Sequence, residues 1–183
     1  MSHWKSFGLA IFTAVCSIGV TTGSAQAQCQ GFSGDVCATE WNGASVINLG
    51  NPSGGSYATG YSINNAGQVV GYIGLSPTEW SGASVISLGG IGQARSINDA
   101  GVVVGVTGTT GVPYATEWSA GKLIYLGQGY ADHINDMGQV VGRDGDGHAT
   151  EWSGGNVISL PSLPGSSGES EAQSINDAGQ AVG

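Results

Sequence analysis

Glu40, Glu79, Glu117 and Glu151 recur along this chain, each between a Thr and a Trp. Paired carboxylates could perform general acid–base work on a glycosidic bond. The recurrence argues against it. An active site is one asymmetric constellation, and a residue present in every copy of a repeat belongs to the scaffold. The loop acids of the repeat region that do not recur are Asp132, Asp144, Asp146, Glu169 and Glu171, and a secreted hydrolase or lyase would have to draw on these. We assign no catalytic residue and read the chain as a non-enzyme.

The stretch Arg143-Asp144-Gly145-Asp146-Gly147-His148 is chemically the most distinctive. Asp144 and Asp146 could offer hard oxygen ligands to calcium. The acidic residue that an EF-hand loop carries at its twelfth position is missing, so a polar turn is the plainer reading. Neither His133 nor His148 stands in an HExxH or Cys/His zinc spacing. No phosphate-binding glycine loop, nucleophile elbow or dinucleotide fingerprint is present. No metal site and no cofactor are assigned.

The elements that must position these residues are copies of one unit. Ser62 to Gly71 reads SINNAGQVVG, and the pattern returns at Ser96 to Gly105, His133 to Gly142 and Ser174 to Gly183. A second phrase ends at Trp41, Trp80, Trp118 and Trp152, and a third follows it as VINLG, VISLG, LIYLG or VISLP. Asn and Asp favour turns through side-chain to backbone bonds, and Gly supplies positive φ, so Asn65-Ala66-Gly67 turns the chain. Gln68 to Gly71 is β-branched and reads as the returning strand. Thr78-Glu79-Trp80 alternates with the strand period, Ser81-Gly82 turns, and Val85 to Leu88 is the next strand.

Each cycle therefore predicts four short antiparallel strands, and no window carries a sustained helical period. The fold class is all-β, as tandem four-stranded antiparallel repeats. The Trp-to-Trp spacings of 39, 38 and 34 residues match one propeller blade. A unit this small cannot bury its own apolar face, so neighbours must stack. The expected array is propeller-like with about four blades, spanning residues 38–183. It begins with strands three and four of one unit and stops after strands one and two of another. Pairing of these halves would close a four-bladed ring; the alternative is a fragment of a larger array. The unit tryptophans are expected in the core between blades, not as sugar-stacking platforms.

Residues 1–27 read as a secretory leader, with a weakly basic start, an apolar run from Phe7 to Val20 and the cleavage pattern Ala25-Gln26-Ala27. Neither Cys16 nor Cys29 follows the small residue that a lipoprotein signal requires. Residues 28–37 form a lead-in containing Cys29 and Cys37, the cysteines left after cleavage. In an oxidising compartment they are expected to be bridged. Net charge is −9 and the fixed cations are Lys5, Arg95, Lys122 and Arg143. Clustered Lys and Arg are missing, which excludes a nucleic-acid backbone as partner and disfavours an anionic membrane surface.

The repeated INDAGQAVG and INDMGQVVG phrases, with His148-Ala149-Thr150-Glu151-Trp152, resemble the HAF-type extracellular repeat family of bacteria, over residues 38–183. Thr150 stands where that family has Phe. The resemblance implies export and carries no enzymatic activity with it. The expected function is an exported, non-enzymatic binding or structural module in the extracellular space or periplasm, with a glycan or protein ligand and no membrane insertion after cleavage. The alternative is a secreted polysaccharide-active hydrolase or lyase on a propeller scaffold. The connections between units vary while the turns within them do not, which predicts a ligand-binding face carrying Tyr72, Arg95, Tyr114, Tyr130, Arg143, Asp144 and His148 on loops.

Overall fold

The computed structural model describes residues 36–51, 57–108, 111–165 and 168–183. The expected leader and Cys29 lie outside the described residues. Cys37 is disulfide-bonded.

The described chain is all-β and antiparallel. Strands β1 (Thr39–Asn42) and β2 (Ser45–Asn48) form a two-stranded sheet. Strands β3 (Ala58–Ile63), β4 (Gln68–Ile73), β5 (Ser76–Ser81) and β6 (Ser84–Ser87) form a four-stranded sheet in sequence order. Then come β7 (Gly92–Ile97), β8 (Val103–Thr107), β9 (Tyr114–Ser119), β10 (Lys122–Ile134), β11 (Val140–Asp144), β12 (Ala149–Ser153) and β13 (Asn156–Ser159). These seven form one continuous sheet. Strands β14 (Ser174–Ile175) and β15 (Ala181–Val182) form a last pair.

The seven-stranded sheet corrects the expectation of separate four-stranded units with Tyr130 on a loop between them. β10 serves as fourth strand of one unit, pairing with β9 through residues 122–128. It then serves as first strand of the next, pairing with β11 through residues 129–134. The cause lies in the shortest repeat: the 34-residue spacing from Trp118 to Trp152 leaves no residues for a turn at this join. Gly127 and Gly129, at φ of 146° and 130°, let the strand bend here, next to a bulge in the β9–β10 ladder between Tyr125 and Gly127.

Two local devices recur in the units. In the Asn-Asp-Ala-Gly turns, Gly67, Gly101, Gly138 and Gly179 hold φ between 75° and 79°. The N–H of each donates to the carbonyl of the turn's Asn at 3.0–3.1 Å. The second device is a bulge in the first strands β3, β7 and β10, at Gly60/Ser62, Ala94/Ser96 and Ala131/His133. The extra residue is Tyr61, Arg95 or Asp132. The bulge drives the first strand onto the second. A Cβ on Gly142 would lie 2.0 Å from the Tyr130 carbonyl oxygen, so only glycine fits there.

Apolar side chains are buried between successive units, as stacking requires. Val70 of β4 packs with Ala94, Ile97, Val103 and Trp118. Val104 packs with Ala115, Ala131, Ile134, Val140 and Trp152. Val141 packs with Ala172 and Ile175. Full burial of a Val or Ile side chain stabilises by roughly 1.5–3 kcal/mol, so these joins hold the array together. Trp80, Trp118 and Trp152 are buried, and the indole N–H of Trp80 and Trp118 donates to Gly50 and Gly89 carbonyls at 3.3 Å. Trp41 is exposed, against the expectation that all four are core. Its counterparts are covered by the preceding unit, and the described residues place no such unit against Trp41.

The joins are also laced by three rows of hydrogen bonds. The Asn64, Asn98 and Asn135 side-chain amides donate to the carbonyls of Asn98, Asn135 and Asn176, at 2.8–3.1 Å. The backbone N–H groups of Asn65, Asp99 and Asp136 donate to the carboxylates of Asp99, Asp136 and Asp177, at 2.8–3.0 Å. Ser62, Ser96 and His133 accept from the N–H of Ile97, Ile134 and Ile175. His133 thus stands in a serine's place, with Nδ1 as acceptor.

Candidate functional site

Arg95, Tyr130 and Arg143 are the predicted residues that the fold brings together. The Arg95 guanidinium lies 5.1 Å from the centre of the Tyr130 ring, and that of Arg143 lies 4.4 Å from it. Arg95 is the bulged residue of β7, Tyr130 lies on β10, and Arg143 on β11. A bulge re-aims the extra side chain, and that is how Arg95 reaches across to the next unit. A carboxyl lies beside each guanidinium, although Arg143 Nε makes no hydrogen bond of good geometry to a described residue. Arg95 forms an ion pair with Asp132, and Arg143 Nε lies 3.1 Å from Glu171 Oε1.

Asp132 is the most perturbed group of this cluster. Its side chain is 9% exposed, and its buried Oδ2 accepts no hydrogen bond from the described residues. Burial pushes its carboxyl above the ordinary value of 3.8, against the pull of the Arg95 guanidinium and with the push of the Glu171 carboxyl. The cluster thus sets two guanidiniums beside two carboxyls, in a chain of net charge −9. Arg95 and Tyr130 open onto a cavity of about 450 Å³ whose rim includes Leu75, Gln93, Val112 and Pro113. The cluster is therefore pre-organised, half exposed and able to donate hydrogen bonds.

The remaining predicted residues lie elsewhere. Tyr72 is inside β4, where its ring packs 5.7 Å from Tyr61. Burial, with Tyr72 beside it, raises the Tyr61 phenol above 10.0. Tyr114 opens β9 and packs 5.4 Å from Tyr125. Asp144 ends β11, and His148 follows in the turn with its Nδ1 3.8 Å from Asp144. The expectation that the binding residues sit on loops is thus corrected: all except His148 are on strands. The predicted loops are shorter than the sequence suggests, because a two-residue turn, Gly74-Leu75, suffices between β4 and β5.

The calcium candidates do not converge. Asp144 Oδ1 accepts from the backbone N–H of Asp146 and of His148, at 3.0 and 2.9 Å, which makes an Asx-type turn. Asp146 is exposed beyond it. Among the described residues no three His, Cys, Asp or Glu side chains are grouped as metal ligands. Two of the recurring glutamates are tied across strands: Gln68 donates to Glu79 at 2.8 Å and Gln139 to Glu151 at 2.9 Å.

Sequence reasoning did not anticipate that Glu171 would reach Arg143, nor the ladder of turn side chains. One signal was available. The residue before each copy's first Ser or His varies as Tyr61, Arg95, Asp132 and Gln173 within an otherwise constant phrase. Variation at one position of a constant repeat marks a side chain that the scaffold does not use. The constant turns enclose a cavity of their own, of about 330 Å³, which Asn98, Asp99, His133 and Asp136 help to line. Among the described residues no helix is long and apolar enough to cross a membrane. No protein-family model, curated protein or solved structure matches the chain.

Proposed function

We propose that this chain is an exported, non-enzymatic binding module: a propeller-like stack of the HAF-type extracellular repeat kind, whose ligand meets the Arg95–Tyr130–Arg143 cluster. The observation that carries the reading is that cluster's build. Two guanidiniums lie over the Tyr130 ring, 5.1 and 4.4 Å from its centre, so the ring is engaged by donors and is not offered as a platform for a sugar. Arg presents its donors in a fixed fork. The ligand is accordingly one rich in hydrogen-bond acceptors, such as an acidic glycan or an acidic protein surface. Export is supported by the leader pattern and by the family resemblance.

The test is to screen immobilised glycans and cell-surface extracts with the mature chain, then to change Arg95 and Arg143 to Ala. Binding should be lost in these variants and retained on changing Asp99 to Ala in the constant turns. The reverse outcome places the ligand on the turn face.

A second reading is favoured by one observation. A buried carboxyl of raised pKa beside a second carboxyl is what a general acid requires. A polysaccharide hydrolase or lyase using Asp132 and Glu171 would show turnover on a panel of uronate-containing polymers, abolished in Asp132→Asn. The depth at which Asp132 is buried favours the binding reading.

A further inference from the structure

The cavity of about 450 Å³ onto which Arg95 opens lies where one unit meets the next. Three stretches form its mouth: the β4–β5 turn at Leu75, the lead into β7 at Ile91, and the β8–β9 connection at Val112 and Pro113. Leu75, Ile91 and Val112 are 72, 47 and 40% exposed. Large apolar side chains grouped in this way around one opening mark a place of binding. Backbone bonds fix the mouth. The Gly92 N–H donates to the Leu75 carbonyl at 2.8 Å, the Gly108 N–H to the Ile91 carbonyl at 2.9 Å and the Gly129 N–H to the Pro113 carbonyl at 3.0 Å.

Arg95 is the only charged group among the described residues that line this cavity, in a chain of net charge −9. Asp132 takes one guanidinium nitrogen, Nη1, and does not itself line the cavity. A guanidinium carries five N–H donors in a fixed fork, so donors remain for a second acceptor.

The combination belongs to one unit. Ala94 faces Gly105 as Ala131 faces Gly142, so Ile91 corresponds to Gln128 and Arg95 to Asp132. The Gly129 N–H meets Pro113 as the Gly92 N–H meets Leu75, and the Ser170 N–H meets Gly147 at 2.8 Å, so Leu75 corresponds to Pro113 and then to Gly147. One unit on, the matching positions are therefore Pro113, Gln128 and Gly147, with an acid in the place of Arg95. An apolar mouth over a cation does not recur, so the repeat scaffold does not require it.

We infer that this cavity takes a small ligand with a carboxylate at one end and a compact apolar body at the other. The carboxylate meets the Arg95 guanidinium, and Leu75, Ile91 and Val112 cover the body. A free aryl or alkyl acid has this chemistry, and so does the last residue of a peptide that ends in an apolar side chain. The inference goes beyond the cluster reading, because Arg143 lies outside the cavity lining and a single acidic group suffices.

The test titrates the full mature chain with phenylacetate and with phenylacetamide, which has the same apolar body and no charge, followed by ligand-observed NMR. Phenylacetate should bind, and phenylacetamide should bind about tenfold more weakly, the effect of a hydrogen bond to a charged group. Arg95→Gln should remove that difference. Leu75→Asp changes an exposed turn side chain, so it should fold like the parent, and its carboxylate at the mouth should weaken phenylacetate clearly. A short peptide ending in Phe, with its C-terminus free or amidated, is the second arm; the free acid that binds more tightly identifies the source. Equal binding of acid and amide overturns the proposal. So does failure of both free acids to bind at millimolar concentration, and so does phenylacetate binding that Leu75→Asp leaves unchanged. A glycan screen that finds nothing counts against the cluster reading alone, since phenylacetate binding is read directly.

Discussion

Replacing Asn135 by Ala tests the claim that the turn ladder holds the units in register. Asn135 is 4% exposed and uses both ends of its amide. Its Oδ1 accepts from the N–H of Met137 at 3.1 Å and of Gln139 at 2.9 Å. Its Nδ2 donates to Gln139 Oε1 at 2.9 Å and to the Asn176 carbonyl at 2.8 Å. Alanine removes four bonds, of which the one to the Gln139 side chain is readily replaced by water. The remaining three involve backbone groups, at roughly 0.5–1.5 kcal/mol each, for a total of about 2–4 kcal/mol.

Asp136 provides the internal control. It is next in sequence and accepts one ladder bond, from Asp99 N–H at 2.8 Å, but it is exposed. Asp136→Ala should cost under about 1 kcal/mol. Denaturant unfolding of the two variants, followed by tryptophan fluorescence, gives the comparison. Hydrogen exchange adds the location: Asn135→Ala should accelerate exchange in β14 and β15, since the lost amide grips Asn176. Equal midpoints for the two variants would refute the assignment of the buried row as the main tie. Unchanged exchange at β14 in Asn135→Ala would show that apolar packing alone sets the join.

Trp80→Ala should lower stability by about 3–5 kcal/mol, because the ring is 1% exposed; a melting profile like the parent's would place Trp80 outside the core. Asp132 gives a pH test. Its folded pKa is raised above 3.8, so its contribution to stability is complete below that value and is lost as pH rises through the folded pKa. Stability of the parent should therefore fall relative to Asp132→Asn across that rise, and parallel pH profiles would refute the raised carboxyl. Asp99 has the opposite sign: the Asn65 N–H and side chain lower its pKa, so its contribution is present above 3.8 and lost as acid titrates it. Asp99→Asn should flatten the acid limb of the stability profile.

Much of the fold was legible in the residues themselves. The turn phrase Asn-Asp-Ala-Gly, the β-branched return and the Thr-Glu-Trp alternation are local signals, and each produced the strand or turn it implied. Their repetition also implied that the apolar rows are buried between units, because one unit has no opposite face of its own. Residue chemistry alone left the positions of Arg95, Tyr130 and Arg143 undecided. They come from different units, and only the bulge that turns Arg95 sideways and the fused strand β10 bring them around one ring. Local pattern carries no record of which carbonyl presses on Gly142, or of which carboxyl lies beside Asp132. Those depend on how far one strand is pushed over its neighbour, which is settled by packing across the whole sheet. The exposure of Trp41 makes the same point: its phrase matches those of Trp80, Trp118 and Trp152, and only the neighbour it lacks among the described residues makes it a surface residue.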